Sequence, residues 1–299
     1  MADFVTLDPA IVVAAILALI PLLFAAFCSR RWGRLGERWP SWARLVAPAA
    51  LCVPYVLVAC PAGMFRWEWL AVYALLPVLV VAALGWAARM DAAQRGTWLD
   101  FVVLAVLGLA VDLRWFGPAW PVRMAVFSKV LLLDAGLYGF LVVRRLDGVG
   151  FDLRLRSRDV RVGLREWGFY LPIAVTLGLW LGFLHWHGFA MGWHQLVKLP
   201  FAFVFTFFLI AVPEEIFFRG WLQNLLERKI GRNGALILTA ALFGLSHFNK
   251  RAAHFNWRYV LLAVIAGIFY GRAWRDGRRV GASALTHALV DTVWGFWLR

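Results

Sequence analysis

Apolar residues run through this chain in long blocks, and the polar residues collect in the gaps between them. A helix that crosses a bilayer needs about 20 apolar residues, within a range of about 17–25. Ten blocks approach that length: residues 10–28, 45–65, 70–88, 98–112, 124–143, 168–187, 199–218, 234–248, 258–271 and 281–297. Blocks 98–112, 234–248 and 258–271 are short, so each is expected to be a half-span or a helix sheltered by its neighbours. The pattern predicts an all-α, polytopic transmembrane helical bundle of about eight to ten spans. Residues 151–167 alternate apolar and basic in their first half, which predicts a short strand or an interfacial helix on anionic headgroups. No Gly/Ser linker, repeat or low-complexity tract interrupts the chain, so one membrane domain is expected. Within it, the segment 151–167 separates a first half of five spans in residues 1–150, without a recognised motif, from a second half of five in residues 151–299.

Composition sharpens this picture. Of 299 residues, 63% are apolar and 16% charged, against about 25% charged in an ordinary soluble domain. A disordered chain, a fibrous repeat and a soluble single-core enzyme are excluded. The balance of 31 Lys+Arg against 17 Asp+Glu, net +14, would point to nucleic acid in a soluble protein. Here the arginines sort by segment instead. Arg30, Arg31, Arg34, Arg38 and Arg44 lie in 29–44, and seven arginines lie in 144–167. Arg219, Arg228, Lys229 and Arg232 lie in 219–233, and Arg272, Arg275, Arg278 and Arg279 in 272–280. With ten spans and the N-terminus outside, all of these fall on the cytoplasmic side, facing an anionic inner leaflet, and no nucleic-acid partner is implied. Asp3 and Asp8 precede the first block where a secretory signal needs basic residues, so that block is expected to remain as an anchor. Cys28, Cys52 and Cys60 form no CxxC pair and are expected to be buried small hydrophobes.

Polar groups inside apolar spans are costly and need a reason. Lys129 and Asp134 can snorkel or pair with another helix; Asp100 and Asp112 sit near the ends of a short span. His185, His187 and His194 lie among Trp180, Trp186 and Trp193, a pattern that fits a headgroup belt better than a metal site. The stretch 211–221, AVPEEIFFRGW, is different. On a helix Glu215 and Arg219 share a face and can pair, while Glu214 is turned by about one hundred degrees and can face a cavity as a base. A purely structural role, with both glutamates anchoring the helix, is the alternative. Further along, LFGLSHFNK carries Phe243 one turn before His247, and LTHALVDTVW carries His287 four residues before Asp291.

Intramembrane polar groups on three separate helices are satisfied by meeting one another or water in the bundle interior. A carboxylate and an imidazole can hold and deprotonate a water, and a second histidine can donate to a developing oxyanion. That combination suits amide hydrolysis. No GxSxG elbow is present, and Ser246 is expected on a different helical face from His247. HExxH is absent as well. His247, His287, Glu214 and Asp291 are compatible with zinc by ligand type, but nothing demands it, so no cofactor is expected. Counting about 1.5 Å per residue from the span ends puts His287 about 9 Å and His247 about 20 Å above the inner boundary. A shared site therefore requires offset or tilted helices, or a different boundary for 234–248.

EExxxR at Glu214, Glu215 and Arg219, FxxxH at Phe243 and His247, and HxxxD at His287 and Asp291 together resemble the CPBP family. This is the CAAX-protease and bacteriocin-processing (Abi) group of intramembrane proteases. The motifs follow the family's order over roughly 168–299. The resemblance implies a helical membrane fold, an active site inside the bundle open to the cytosol, and a location in the bacterial inner membrane. It also implies that Glu214 and His247 activate water, that His287 and Asp291 line the oxyanion side, that Glu215 and Arg219 brace the helix, and that Phe243 packs beside His247. Asp291 stands where CAAX-processing members have Asn, so orienting His287 is its expected role. The implied activity is a glutamic-type endopeptidase acting on a membrane-anchored or lipidated protein. The alternatives are a non-catalytic membrane scaffold, a bacteriocin-immunity protein and a small transporter. A transporter is expected to show paired repeats with broken helices, and the two halves here share no motif.

Overall fold

The protein is seen in a computed structural model that describes residues 8–186, 192–250 and 254–298. The chain divides into two compact units, Met1–Asp147 and Gly148–Arg299. Among the described residues all regular structure is helical.

The first unit contains α1 (Pro9–Phe27), α2 (Ser41–Ala59), α3 (Trp67–Met90), α4 (Trp98–Asp112) and α5 (Val126–Val143). Asp8 caps α1 by accepting the Ala10 amide at 2.8 Å, and Thr97 with Asp100 forms a capping box on α4, satisfying amides that a helix start leaves open. Asp100 also anchors a buried cation. Its carboxylate accepts Arg144 Nε at 2.9 Å, and the same guanidinium reaches Asp91 at 2.7 Å. An aromatic cluster fills the interior, with Trp120 donating its indole N–H to Tyr73 at 2.6 Å and stacking on Phe127 at 5.2 Å. Asp134, expected to snorkel or pair, does neither: it is buried, and neither carboxyl oxygen has a hydrogen-bond partner. Lys129 is exposed. The cysteines are less buried than expected, Cys28 and Cys52 intermediate and Cys60 exposed. Cys28 and Cys60 follow the ends of α1 and α2 rather than lying on packed faces.

The second unit contains α6 (Ser157–Trp180), α7 (Trp193–Thr206), α8 (Asn224–Leu245), α9 (Trp257–Gly277) and α10 (Val280–Trp297). Of the strand and the interfacial helix expected at 151–167, the strand does not form. Residues 151–156 have no regular structure apart from a bend, and the rest is the start of α6, which ends at Trp180 rather than 187. The expected basic loop 219–233 is also helical, interrupted where Gly231 takes φ +74°. A glycine adopts that left-handed backbone without steric cost and changes the helix direction there. Five stretches are long and apolar enough to cross a membrane: Pro9–Phe27, Ser41–Ala59, Trp67–Met90, Val126–Val143 and Leu196–Leu245. The remaining expected blocks, 98–112, 168–187, 258–271 and 281–297, fall on α4, α6, α9 and α10.

Several of the arginines that suggested headgroup contact pair with carboxylates of their own unit. Arg279 binds Asp159 at 2.8 Å, Arg165 binds both Glu166 and Asp276 at 2.8 Å, and Arg158 binds Asp276 at 2.8 Å. The Arg158 and Arg165 guanidiniums hold the Asp276 carboxyl below the usual carboxylate range. Asp3 and His187 lie outside the described residues, as does the side chain of His194.

Helices α8 and α9 touch where Gly244 removes a side chain. A Cβ there would come within 2.7 Å of the Val260 carbonyl and would meet the Val264 methyl group. Gly244→Ala is expected to lower stability by about 1–3 kcal/mol through overpacking, read as a shift in denaturant-induced unfolding in detergent. An unchanged midpoint would mean that the helices are not in this close contact.

Candidate active site

Glu214 and Glu215 lie on a short α-helical turn, Val212–Glu215, between two π-helical stretches, Phe207–Ala211 and Ile216–Gln223. Pro213 has no amide to donate, so the regular helical ladder cannot run through it, and wider turns accommodate the break. The two adjacent carboxylates then diverge. Glu215 is fully buried, whereas the Glu214 side chain remains 28% exposed.

Glu215 is held on every side. Arg219 Nε lies 3.1 Å from its Oε2, the Ser283 hydroxyl donates to the same oxygen, and His287 Nδ1 lies 2.8 Å from Oε1. Arg219 is buried too; it donates to the Gly267 carbonyl at 3.0 Å and lies 4.6 Å from the Phe243 ring centre and 5.5 Å from that of Tyr270. A buried cation needs such compensation, and hydrogen bonds with aromatic faces provide it.

Glu214 has a looser setting. Its Oε2 is 3.9 Å from His287 Nε2 and its Oε1 is 4.0 Å from Lys250 Nζ. His287 Nε2 also lies 3.5 Å from Asp291. The ring of His287 therefore directs Nδ1 at Glu215 and Nε2 toward Glu214 and Asp291. Since an ionised carboxylate only accepts, Nδ1–H donates to Glu215, while Nε2 faces Asp291 at 3.5 Å and Glu214 at 3.9 Å.

His247 lies just beyond the end of α8. Its Nδ1 is 2.8 Å from the Phe243 carbonyl, so Nδ1–H is the donor and Nε2 is left as the acceptor. Ser246, expected to face elsewhere, has its Oγ 3.2 Å from the same Nδ1, because residues 246–249 form turns rather than continuing the helix. The serine hydroxyl donates to the Phe243 carbonyl at 2.8 Å. The Phe243 ring stands between the histidines, 4.9 Å from His247 and 5.7 Å from His287. Both histidines and Asp291 line one cavity of about 60 Å³. The depth difference counted from the sequence disappears because that count starts every helix at one plane and runs all of them along one axis.

The structure thus brings together the residues of all three motifs. Sequence reasoning missed three contributors. Ser283 was within reach, one turn before His287 on the same helix. Tyr270 stacks on His287 at 4.6 Å, and Tyr259 meets His247 edge-on at 4.8 Å. Neither has a spacing that connects it to a motif, so only the packing of α9 identifies them.

Among the described residues no group of three His, Cys, Asp or Glu side chains is arranged so that it could hold a metal ion. What the arrangement offers is one accessible carboxylate, one imidazole acceptor nitrogen and a second imidazole among carboxylates, beside a cavity. Residues 196–293 match the family model Rce1-like, described as type II CAAX prenyl endopeptidase Rce1-like. No curated protein and no solved structure matches the chain.

Proposed function

We propose that this protein is an intramembrane endopeptidase that hydrolyses a peptide bond of a membrane-anchored or lipidated substrate, a reading supported by the match of residues 196–293 to the type II CAAX prenyl endopeptidase Rce1-like family model. The observation that carries the reading is the unequal treatment of two adjacent glutamates. Glu215 is sealed by Arg219, Ser283 and His287, while Glu214 stays partly open beside a histidine-lined cavity.

In this reading a water accepts orientation from His247 Nε2 and gives its proton to Glu214 as its oxygen attacks the peptide carbonyl. The carbonyl becomes an oxyanion, and the proton on His287 Nε2 stabilises it. Asp291 keeps that ring in place. Collapse of the tetrahedral intermediate breaks the C–N bond, and the proton held by Glu214 leaves on the new amine. Arg219 and Glu215 touch no reacting atom; they fix the turn that presents Glu214 and the orientation of His287.

The test is cleavage of a peptide ending in a CAAX sequence by the full chain reconstituted in phospholipid vesicles, with farnesylated and unmodified versions compared. The lipidated peptide is expected to be cleaved faster, and activity is expected to survive thorough chelation. No cleavage of either peptide would count against the endopeptidase, and loss of activity on chelation with recovery on zinc addition would overturn the water-activating roles of Glu214 and His247.

A further inference from the structure

The first unit contains a cavity of about 360 Å³, within the range of about 300–1,000 Å³ usual for small-ligand sites. It is lined by Trp32, Trp39, Tyr138, Pro21, Pro48 and Asp134, among others. Asp134 is buried in the middle of α5, and neither of its oxygens has a hydrogen-bond partner. A carboxyl group left without a partner in an apolar setting is costly, so its persistence needs a compensating group.

The protein does not supply that group. Trp32 already directs its indole N–H at the Leu137 carbonyl, at 3.4 Å, and Tyr138 donates its hydroxyl to the Arg44 carbonyl at 3.0 Å. Trp32 and Tyr138 meet edge to face, at 88° with centres 6.4 Å apart, and Trp39, 43% exposed, lines the same cavity. Perpendicular aromatic walls with a carboxylate at one side are the surroundings an organic cation prefers, since ring faces and carboxylate both attract positive charge. A neutral alkyl occupant would leave Asp134 unpartnered, whereas a bound cation would favour its ionised form.

We propose that this cavity binds an organic ammonium group, with Asp134 as counter-ion and Trp32, Trp39 and Tyr138 as the aromatic walls. Two sources carry that chemistry: the headgroup of an ammonium-bearing lipid and a soluble quaternary amine.

The test is equilibrium binding to the purified full chain in a non-ionic detergent, with three probes: tetramethylammonium, a choline-headgroup lysolipid, and 3,3-dimethylbutanol, a neutral isostere of choline. The ammonium probes are expected to bind and the neutral isostere is not. Tight binding by the lysolipid alone identifies a lipid source, and comparable binding of tetramethylammonium identifies a soluble one; both support the site. Asp134→Asn keeps the shape and removes the charge, and it is expected to weaken binding at least about tenfold. Trp39→Leu, at a position 43% exposed, is expected to weaken binding too, and it decides the matter if Asp134→Asn does not fold. Binding of 3,3-dimethylbutanol as tight as that of the ammonium probes, no binding by any probe, or folded Asp134→Asn and Trp39→Leu proteins that bind as wild type would each overturn the proposal.

Discussion

Glu214→Gln is expected to abolish peptide hydrolysis while leaving the protein folded and membrane-inserted. Glutamine keeps the size and the hydrogen-bonding reach of the side chain, but its amide cannot take a proton from water. General-base catalysis contributes about 10²–10⁴-fold, and the loss in kcat is expected in that range. Folding should be spared, because the Glu214 side chain is 28% exposed and its ionic neighbours, Lys250 and His287, stand 4.0 and 3.9 Å away. The measurement is cleavage by the reconstituted protein, with unfolding in detergent as the control. A folded Glu214→Gln protein that still cleaves at the wild-type rate would remove Glu214 from the role of base.

Arg219→Met is expected to have the opposite profile: a large loss of stability from a residue that touches no substrate. Methionine preserves much of the volume but removes the charge opposite Glu215, whose carboxylate is fully buried. Breaking a buried ion pair from one side costs about 3–5 kcal/mol, because the remaining charge has no solvent to fall back on. The contacts of the guanidinium with Phe243 and Tyr270 are lost as well. The double variant Glu215→Gln with Arg219→Met separates orphaned charge from lost packing. With no carboxylate left behind it should be more stable than Arg219→Met alone, a coupling that a double-mutant cycle reads directly. If the two single effects simply add, the pair is not the unit described here.

These two residues show what could be read in advance. The pairing of Glu215 with Arg219 follows from helical spacing, and the 3.1 Å contact exists even though the turns around it widen into π-helix. The divergence of Glu214 from Glu215 likewise follows from the angle between neighbouring helical residues. The π-helical turns themselves were not legible, nor was the helix through 219–230, where the charge pattern reads as a loop. Both depend on which backbone groups and charged side chains find partners in three dimensions. Arg219 looks like a cytoplasmic residue in sequence and is among the most buried side chains in the protein. The arginines of 151–167 and 272–280 look like a headgroup-binding surface, yet several are matched by Asp152, Asp159, Glu166 and Asp276.

Two kinds of information separate along this line. By itself the sequence determined the all-helical membrane character, since long apolar blocks have one inexpensive arrangement in a bilayer. It also determined the local pair of Glu215 with Arg219, because residues one turn apart share a helix face. Tertiary structure alone decided that His247 and His287 meet across Phe243, that Tyr270 stacks on His287, that Ser283 closes the shell of Glu215, and that Asp134 is left without a partner beside an aromatic-walled cavity. Each of these depends on the relative offset, tilt and direction of separate helices. Those are set by close contacts such as Gly244 against Val260 and by breaks such as Gly231, whose effect on distant residues no periodicity along the chain encodes.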